Sequence, residues 1–334
     1  MFFTYITPDK TCDRLLELGR VTRTDDGLLM DWSACGFSLR FAGSGISFAF
    51  MPHRADMPVY VMAILDGIRT KFAVDSGFER FMLACEDGEH TLSFLRLSEG
   101  GDPLVCREIR ITAENGQSAP ALLPPPAPKE RRIVYFGDSI TCGYGNLGDP
   151  RSGFYTCEED PTLAYAYRSA ELCDADAELV SISGQGVVLN CNGDIGTPIP
   201  TFYKWQSRTL QTPCDFSLQP DVVVVNAGTN DGGAGHVSQE AMFEGACAFV
   251  KNLRLAYPKA EIVWFYGLMG EVYGEALTKA EAVLADTDAR FTYVPCDMIY
   301  GKPGEVGANG HPSVEGAERG AQVLAAKIKE IMNW

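Results

Sequence analysis

No run of about eighteen apolar residues occurs in the 334-residue chain, which leaves no stretch suited to a membrane-spanning helix. The opening MFFTYITPDKTCDRLLELGR carries charge where a signal peptide needs an apolar centre, so the mature chain is expected to begin where its gene does. Cysteine is plentiful at 11, but pairing is missing: the residues stand singly from Cys12 to Cys296, with no CxxC and no Cys/His cluster. That pattern argues against a metal site and points to buried, reduced thiols in a cytoplasmic protein. Basic residues are also short, 28 against 44 acidic, and the net charge of −16 repels nucleic-acid phosphates and anionic membranes. Neutral or cationic ligands suit such a surface better, although acidity that only maintains solubility is the simpler reading. No GxxxxGK nucleotide loop is present, so neither cofactor nor metal is expected.

What is present divides in two. A chain of this length, 46% hydrophobic, suits two domains. The first third lacks any long helical period and reads as sheet. FSLRFAGSGISFAF (37 to 50) alternates apolar and polar residues and is interrupted by small turn residues; VYVMAILDGIRTKFAV (59 to 74) folds back at Asp66-Gly67; HTLSFLRL and CREIRIT add two more strands. An all-β sandwich over residues 1–117 is the expectation. SAPALLPPPAPKE follows, and residues 118–130 read as a polyproline linker.

From residue 131 to 334 strand and helix alternate. RRIVYFGDS, AELVSISG, DVVVVNAGTND, AEIVWFYG and RFTYVPC read as five strands, separated by helical stretches and closed by SVEGAERGAQVLAAKIKEIMNW. That order predicts a three-layer α/β domain with a five-stranded parallel sheet, flavodoxin-like in its winding.

Ligands in such sheets bind beyond the carboxyl ends of the strands. The first strand delivers Asp138 and Ser139 there, the second Gly184, the third Asn230 and Asp231, and His311 lies between the fifth strand and the last helix. A hydroxyl, an imidazole, a bare glycine N–H and an amide donor make a complete set for acyl transfer. Each has a plainer reading alone: a turn serine, a turn glycine, a helix cap. Asp138 and Asp231 are read as structural, bonding loop N–H groups.

GDSIT, SISG, GTND and GxxxHPS, in this order, resemble the sequence blocks of the GDSL/SGNH hydrolases over residues 131–334. That resemblance implies Ser139 as nucleophile, the N–H groups of Ser139 and Gly184 with the Asn230 side chain as oxyanion hole, and His311 as base. The fuller strings VYFGDSITCGYG and NAGTND, behind a β-sandwich whose opening reads GRVTRTDDGLLMDWSACGFSLRFAGSGISFAF, are more specifically similar to carbohydrate esterase family 2. The resemblance implies removal of acetyl groups from sugar hydroxyls, as an acetyl xylan esterase does, with an N-terminal jelly roll that either binds carbohydrate or only packs beside the catalytic domain. The GxSxG of α/β-hydrolases is absent, because Thr141 stands at its second glycine.

The acid of a Ser-His-Asp triad is missing too. Most SGNH enzymes place an aspartate three residues before the histidine and related esterases two before; here those positions are Ala308 and Asn309. An uncharged acceptor, either the Asn309 side-chain oxygen or a backbone carbonyl of the same turn, can still take the distal imidazole N–H. A Ser139–His311 dyad is therefore expected, with Asp297 or Glu305 as a remote alternative acid.

Two long inserts face the predicted rim. LNCNGDIGTPIPTFYKWQSRTLQTPCDF (189 to 216) carries Tyr203 and Trp205, which either flank a sugar or anchor the loop. GNLGDPRSGFYTCEEDPT brings Phe154, Tyr155 and the substrate-binding candidate Glu158, while His236 reads as a surface histidine. The expected partner is a short acetylated xylo- or manno-oligosaccharide or monosaccharide, with no nucleic acid and no membrane. The rival readings are an SGNH lipase, thioesterase or sugar acetyltransferase, and a non-catalytic carbohydrate-binding protein. No sequence feature sets the oligomeric state.

Overall fold

A computed structural model describes residues 2–10, 12–51, 57–74, 80–99, 103–114, 119–233 and 237–334. The chain forms two compact units, Met1–Pro128 with Gln206–Leu210, and Lys129–Trp205 with Gln211–Trp334.

Among the described residues of the first unit every strand pairing is antiparallel. The strands are β1 (Phe2–Ile6), β2 (Leu16–Leu18), β3 (Thr22–Thr24), β4 (Gly27–Met30), β5 (Gly36–Phe50), β6 (Val59–Leu65), β7 (Ile68–Val74), β8 (Arg80–Arg96), β9 (Leu104–Ala113) and β10 (Ala121–Leu122). Their main path runs β3-β4-β9-β5-β8-β6-β7, with β2 and β10 on β5 and β1 on β9. Asp66 and Gly67 both have positive φ, +49° and +85°, which gives the β6–β7 hairpin the mirror-image turn that matches strand twist.

The small turn residues expected to interrupt FSLRFAGSGISFAF do not break the strand. They form an irregularity inside the continuous β5, where the register with β8 shifts between Gly43 and Gly45. Phe37 and Phe48 lie on opposite sides of it. Eleven residues of straight strand at about 3.3 Å each would separate them by about 36 Å. Their rings are instead 6.0 Å apart, and both meet Phe94 of β8 at 5.5 and 4.9 Å. The β5–β8 pair therefore bends over on itself, and one strand pair supplies both layers of the sandwich.

The Pro-rich segment is also not all linker. Ala121 and Leu122 pair with Ala42 and Phe41 of β5, and the boundary between units falls at Pro128. Residue 118 and the proposed boundary at 117 lie outside the described residues. Gln206–Leu210, far along the chain, completes the first unit: Asp31 accepts from the Ser207 hydroxyl at 2.6 Å and the Thr209 N–H at 2.9 Å, and Trp32 donates to the Gln206 carbonyl at 3.0 Å.

The described residues of the second unit form five parallel strands, β11 (Arg131–Gly137), β12 (Ala175–Ser181), β13 (Val222–Asn226), β14 (Glu261–Tyr266) and β15 (Phe291–Pro295), in the order β12-β11-β13-β14-β15. Its α-helices are α1 (Ser139–Cys142), α2 (Tyr165–Leu172), α3 (Ile199–Phe202), α4 (Gln239–Ala256), α5 (Gly274–Leu284) and α6 (Val314–Met332). All five residues of β13 are buried, as a central strand covered on both faces requires. Helix α2 packs with α6 and α4 with α5. Ser238 and Ser313 start α4 and α6 by accepting the N–H groups of Ala241 and Gly316. The winding reverses between β11 and β13, so a crevice opens beyond their carboxyl ends.

Candidate active site

Ser139 stands at that reversal. Strand β11 ends at Gly137, where a Cβ would lie 2.0 Å from Thr141 Oγ1, so this sharp turn admits only glycine. Asp138 caps the turn by accepting the Ile140 N–H at 3.0 Å. Gly143, at φ +76°, ends the four-residue α1, and the Tyr144 N–H returns to the Ser139 carbonyl at 3.1 Å. The serine is thereby fixed from both directions, with 6% of its surface exposed.

The loop after β12 brings Gly184, at φ +81°, which suits glycine alone. Asp231, fully buried, accepts the N–H groups of Val187, Val188 and Leu189 at 2.7 to 3.1 Å and holds this loop as a ring of donors around one carboxylate. Asn230 Nδ2 donates to Asp138 Oδ2 and to the Gln185 carbonyl, both at 2.9 Å, joining the nucleophile turn to the glycine loop. Asp138 and Asp231 are thus the structural carboxylates expected from the sequence. The Gln185 carbonyl is a partner the sequence reading missed, since a backbone acceptor leaves no mark on residue type.

His311 completes the arrangement. Its Nε2 lies 2.8 Å from Ser139 Oγ, and its Nδ1 lies 3.2 Å from the main-chain carbonyl of Asn309. A carbonyl only accepts, so the proton sits on Nδ1 and the Nε2 lone pair receives the serine O–H. Of the two acceptors open in the sequence, the backbone one holds the ring. Asn309 adopts φ +51°, ψ 32°, a left-handed conformation that asparagine tolerates well, and this turns its carbonyl back toward the imidazole. The alternative acids are engaged elsewhere. Glu305 binds Arg319 at 2.7 to 2.9 Å, and Asp297, with its side chain 86% exposed, faces Lys302.

The remaining candidates separate. Glu158 is half-buried in the insert after Ser139, with its carboxylate 3.4 Å from the Ser152 hydroxyl. Tyr203 does not stand free for a sugar: its ring packs against Phe136, Phe216 and Phe249 at 5.4 to 6.0 Å, as a loop anchor does. Trp205 is half-buried beside Phe202 at 6.4 Å and bridges to Pro213. Phe154 stacks on Tyr144, and Tyr155 is 57% exposed. His236 lies outside the described residues. Tyr144, which the sequence reading passed over, meets the His311 ring at 4.3 Å.

The arrangement is a nucleophile and a base in hydrogen-bond contact beside a donor-rich loop, geometry suited to acyl transfer. Comparison with known proteins places both units among known families. The GDSL-like Lipase/Acylhydrolase family matches residues 135–319, and the Carbohydrate esterase 2 N-terminal family matches residues 18–126. Cellulase/esterase CelE of Acetivibrio thermocellus is 28% identical over 98% of this chain, which spans 41% of that relative's length. An acetylxylan esterase / glucomannan deacetylase of Cellvibrio japonicus is 26% identical over 74% of the chain and 68% of its own length. The structure of a family two carbohydrate esterase from Clostridium thermocellum in complex with cellohexaose superimposes with a TM-score of 0.87 at 27% identity, over 96% of this chain and 99% of that one. Matched over more than half its length and in the same fold, this chain belongs to the GDSL-like lipase/acylhydrolase family.

Proposed function

We propose that the protein is a serine esterase that removes O-acetyl groups from carbohydrates through an acetyl-enzyme on Ser139. The observation that carries this is the 2.8 Å contact between Ser139 Oγ and a His311 ring whose other nitrogen is committed to a carbonyl. In this reading the Ser139 proton passes to Nε2 as Oγ bonds to the acetyl carbon. The carbonyl oxygen takes the negative charge against the N–H groups of Ser139 and Gly184 and one N–H of Asn230, released from Asp138 or Gln185. The intermediate collapses, the ester C–O bond breaks, and Nε2 returns its proton to the leaving sugar hydroxyl. Water then repeats the sequence on the acetyl-enzyme and releases acetate.

The sugar side rests on the relatives, among them the acetylxylan esterase / glucomannan deacetylase and the cellohexaose complex. A net charge of −16 is compatible with neutral, acetylated xylo- or manno-oligosaccharides. Glu158 and Trp205 are the side chains we assign to substrate. The eleven free thiols support work in the cytoplasm on short substrates rather than on a polymer. The test is hydrolysis of 4-nitrophenyl acetate, butyrate and octanoate by wild type and Ser139→Ala. Acetate-selective turnover that disappears in the variant is expected. Turnover untouched by the substitution, or a preference for octanoate, contradicts the proposal.

A further inference from the structure

We infer that Tyr144, backed by Phe154, is a positioning residue for His311 that takes over part of the work of the missing acid. The inference rests on the hydrolase reading above and extends it to how the imidazole is held.

Two hydrogen bonds of the His311 ring, to Ser139 Oγ and to the Asn309 carbonyl, lie at its edge. Bonds of that kind fix where the nitrogens point but restrain poorly a tilt of the ring about the line joining them. The acceptor at Nδ1 is a neutral carbonyl at 3.2 Å, a weaker hold than a carboxylate gives. A contact on the ring face restrains the remaining motion. Tyr144 supplies it: its ring centroid is 4.3 Å from that of His311, with 34° between the planes. Phe154 lies 4.1 Å from Tyr144 at 17°, so the imidazole leans on a stack of two aromatic rings.

The backbone around Tyr144 is built to hold this stack. Gly143 and Gly145 on either side are left-handed, at φ +76° and +62°. The Tyr144 N–H binds the Ser139 carbonyl, and the Gly145 carbonyl accepts the Ala308 N–H at 2.9 Å. A Cβ at Gly145 would come 2.8 Å from the Ala308 Cβ. Further along the insert, the Ser152 carbonyl accepts the Asn309 N–H at 3.2 Å. The segment after the nucleophile is therefore clamped to the turn that carries the base, with Tyr144 between them. Its aromatic face also favours the positive charge that the imidazole gains when it takes the serine proton, a benefit largest in the transition state.

The experiment compares wild type, Tyr144→Leu, Tyr144→Phe and Ser139→Ala. It measures kcat and KM on 4-nitrophenyl acetate, and the rate at which a fluorophosphonate labels Ser139, per folded molecule by circular dichroism and thermal melting. Leucine fills similar space without a π face. The expected result for Tyr144→Leu is a fall of about tenfold in both kcat and labelling rate with KM within about twofold, and for Tyr144→Phe a return close to wild type. Wild-type kcat and labelling in Tyr144→Leu would overturn the inference, as would equal loss in Tyr144→Phe, which would assign the role to the phenol hydroxyl. The labelling rate keeps the two proposals apart. A wild type that labels at Ser139 but hydrolyses no acetyl ester fails the deacetylase reading, while its Tyr144→Leu variant still tests the stack.

Discussion

On the nucleophile side of the site, two buried carboxylates organise the backbone: Asp138 caps the serine turn and receives Asn230, and Asp231 gathers three consecutive N–H groups of the glycine loop. On the histidine side, residues 307 to 311 contain no acid, and a backbone carbonyl and an aromatic face hold the imidazole instead. The difference is one of task. A carboxylate is well suited to fixing a loop whose donors never change charge. The imidazole must gain and lose a proton, and the turn that carries it, GANGH, holds no acid of its own. Replacing the acid by an amide in a serine-protease triad costs about four orders of magnitude, chiefly because the wrong tautomer forms. A main-chain carbonyl carries no such hazard, since it cannot donate and so enforces the productive tautomer by itself.

Breaking each side in turn sharpens the contrast. Ser139→Ala carries the largest expected effect, at least about 10⁴-fold in kcat, because it removes the nucleophile on which both sides converge. Gly184→Ala comes next. Alanine at φ +81° is strained and its Cβ would lie 2.9 Å from Cys191 Sγ, so the glycine N–H shifts and kcat is expected to fall about 10²-fold with KM little changed. Asp231→Ala tests the carboxylate side as a stability device. Stranding three loop N–H groups at about 1 to 3 kcal/mol for a buried one predicts a clearly lower urea midpoint together with reduced kcat, whereas Asp231→Asn, which keeps one acceptor oxygen, is expected to be milder. An unchanged midpoint in Asp231→Ala would remove the structural role assigned to that acid. Of these four positions Asn309 should be the least sensitive, since the acceptor it carries is backbone.

Much of this was legible in the sequence for physical reasons. The five strands of the second unit show because buried parallel strands are apolar throughout, as VVVV at 222 to 225 is. Ser139 and His311 show because strand ends in such a sheet point at one crevice. What stayed hidden depends on backbone geometry or distant packing. The bend in β5 reads as a turn, because glycine marks both. Tyr203 is equally plausible on a sugar or against Phe136 and Phe249 until the loop is folded. The Gln206–Leu210 segment joins the first unit through Asp31 and Trp32, more than 170 residues earlier, and nothing local marks it. The carbonyl that holds His311 belongs to the very asparagine the sequence singles out, yet acts through an atom that every residue has.

The most direct measurement of the central claim is kcat/KM on 4-nitrophenyl acetate for Asn309→Ala, Asn309→Gly and His311→Ala side by side. Glycine accommodates φ +51° without strain and keeps the carbonyl, while alanine keeps the carbonyl at about 1 kcal/mol of backbone strain. Asn309→Gly is expected within about threefold of wild type, Asn309→Ala slightly lower, and His311→Ala lower by orders of magnitude. If both Asn309 variants fold and are as inactive as His311→Ala, the side chain orients the base and the main-chain carbonyl does not.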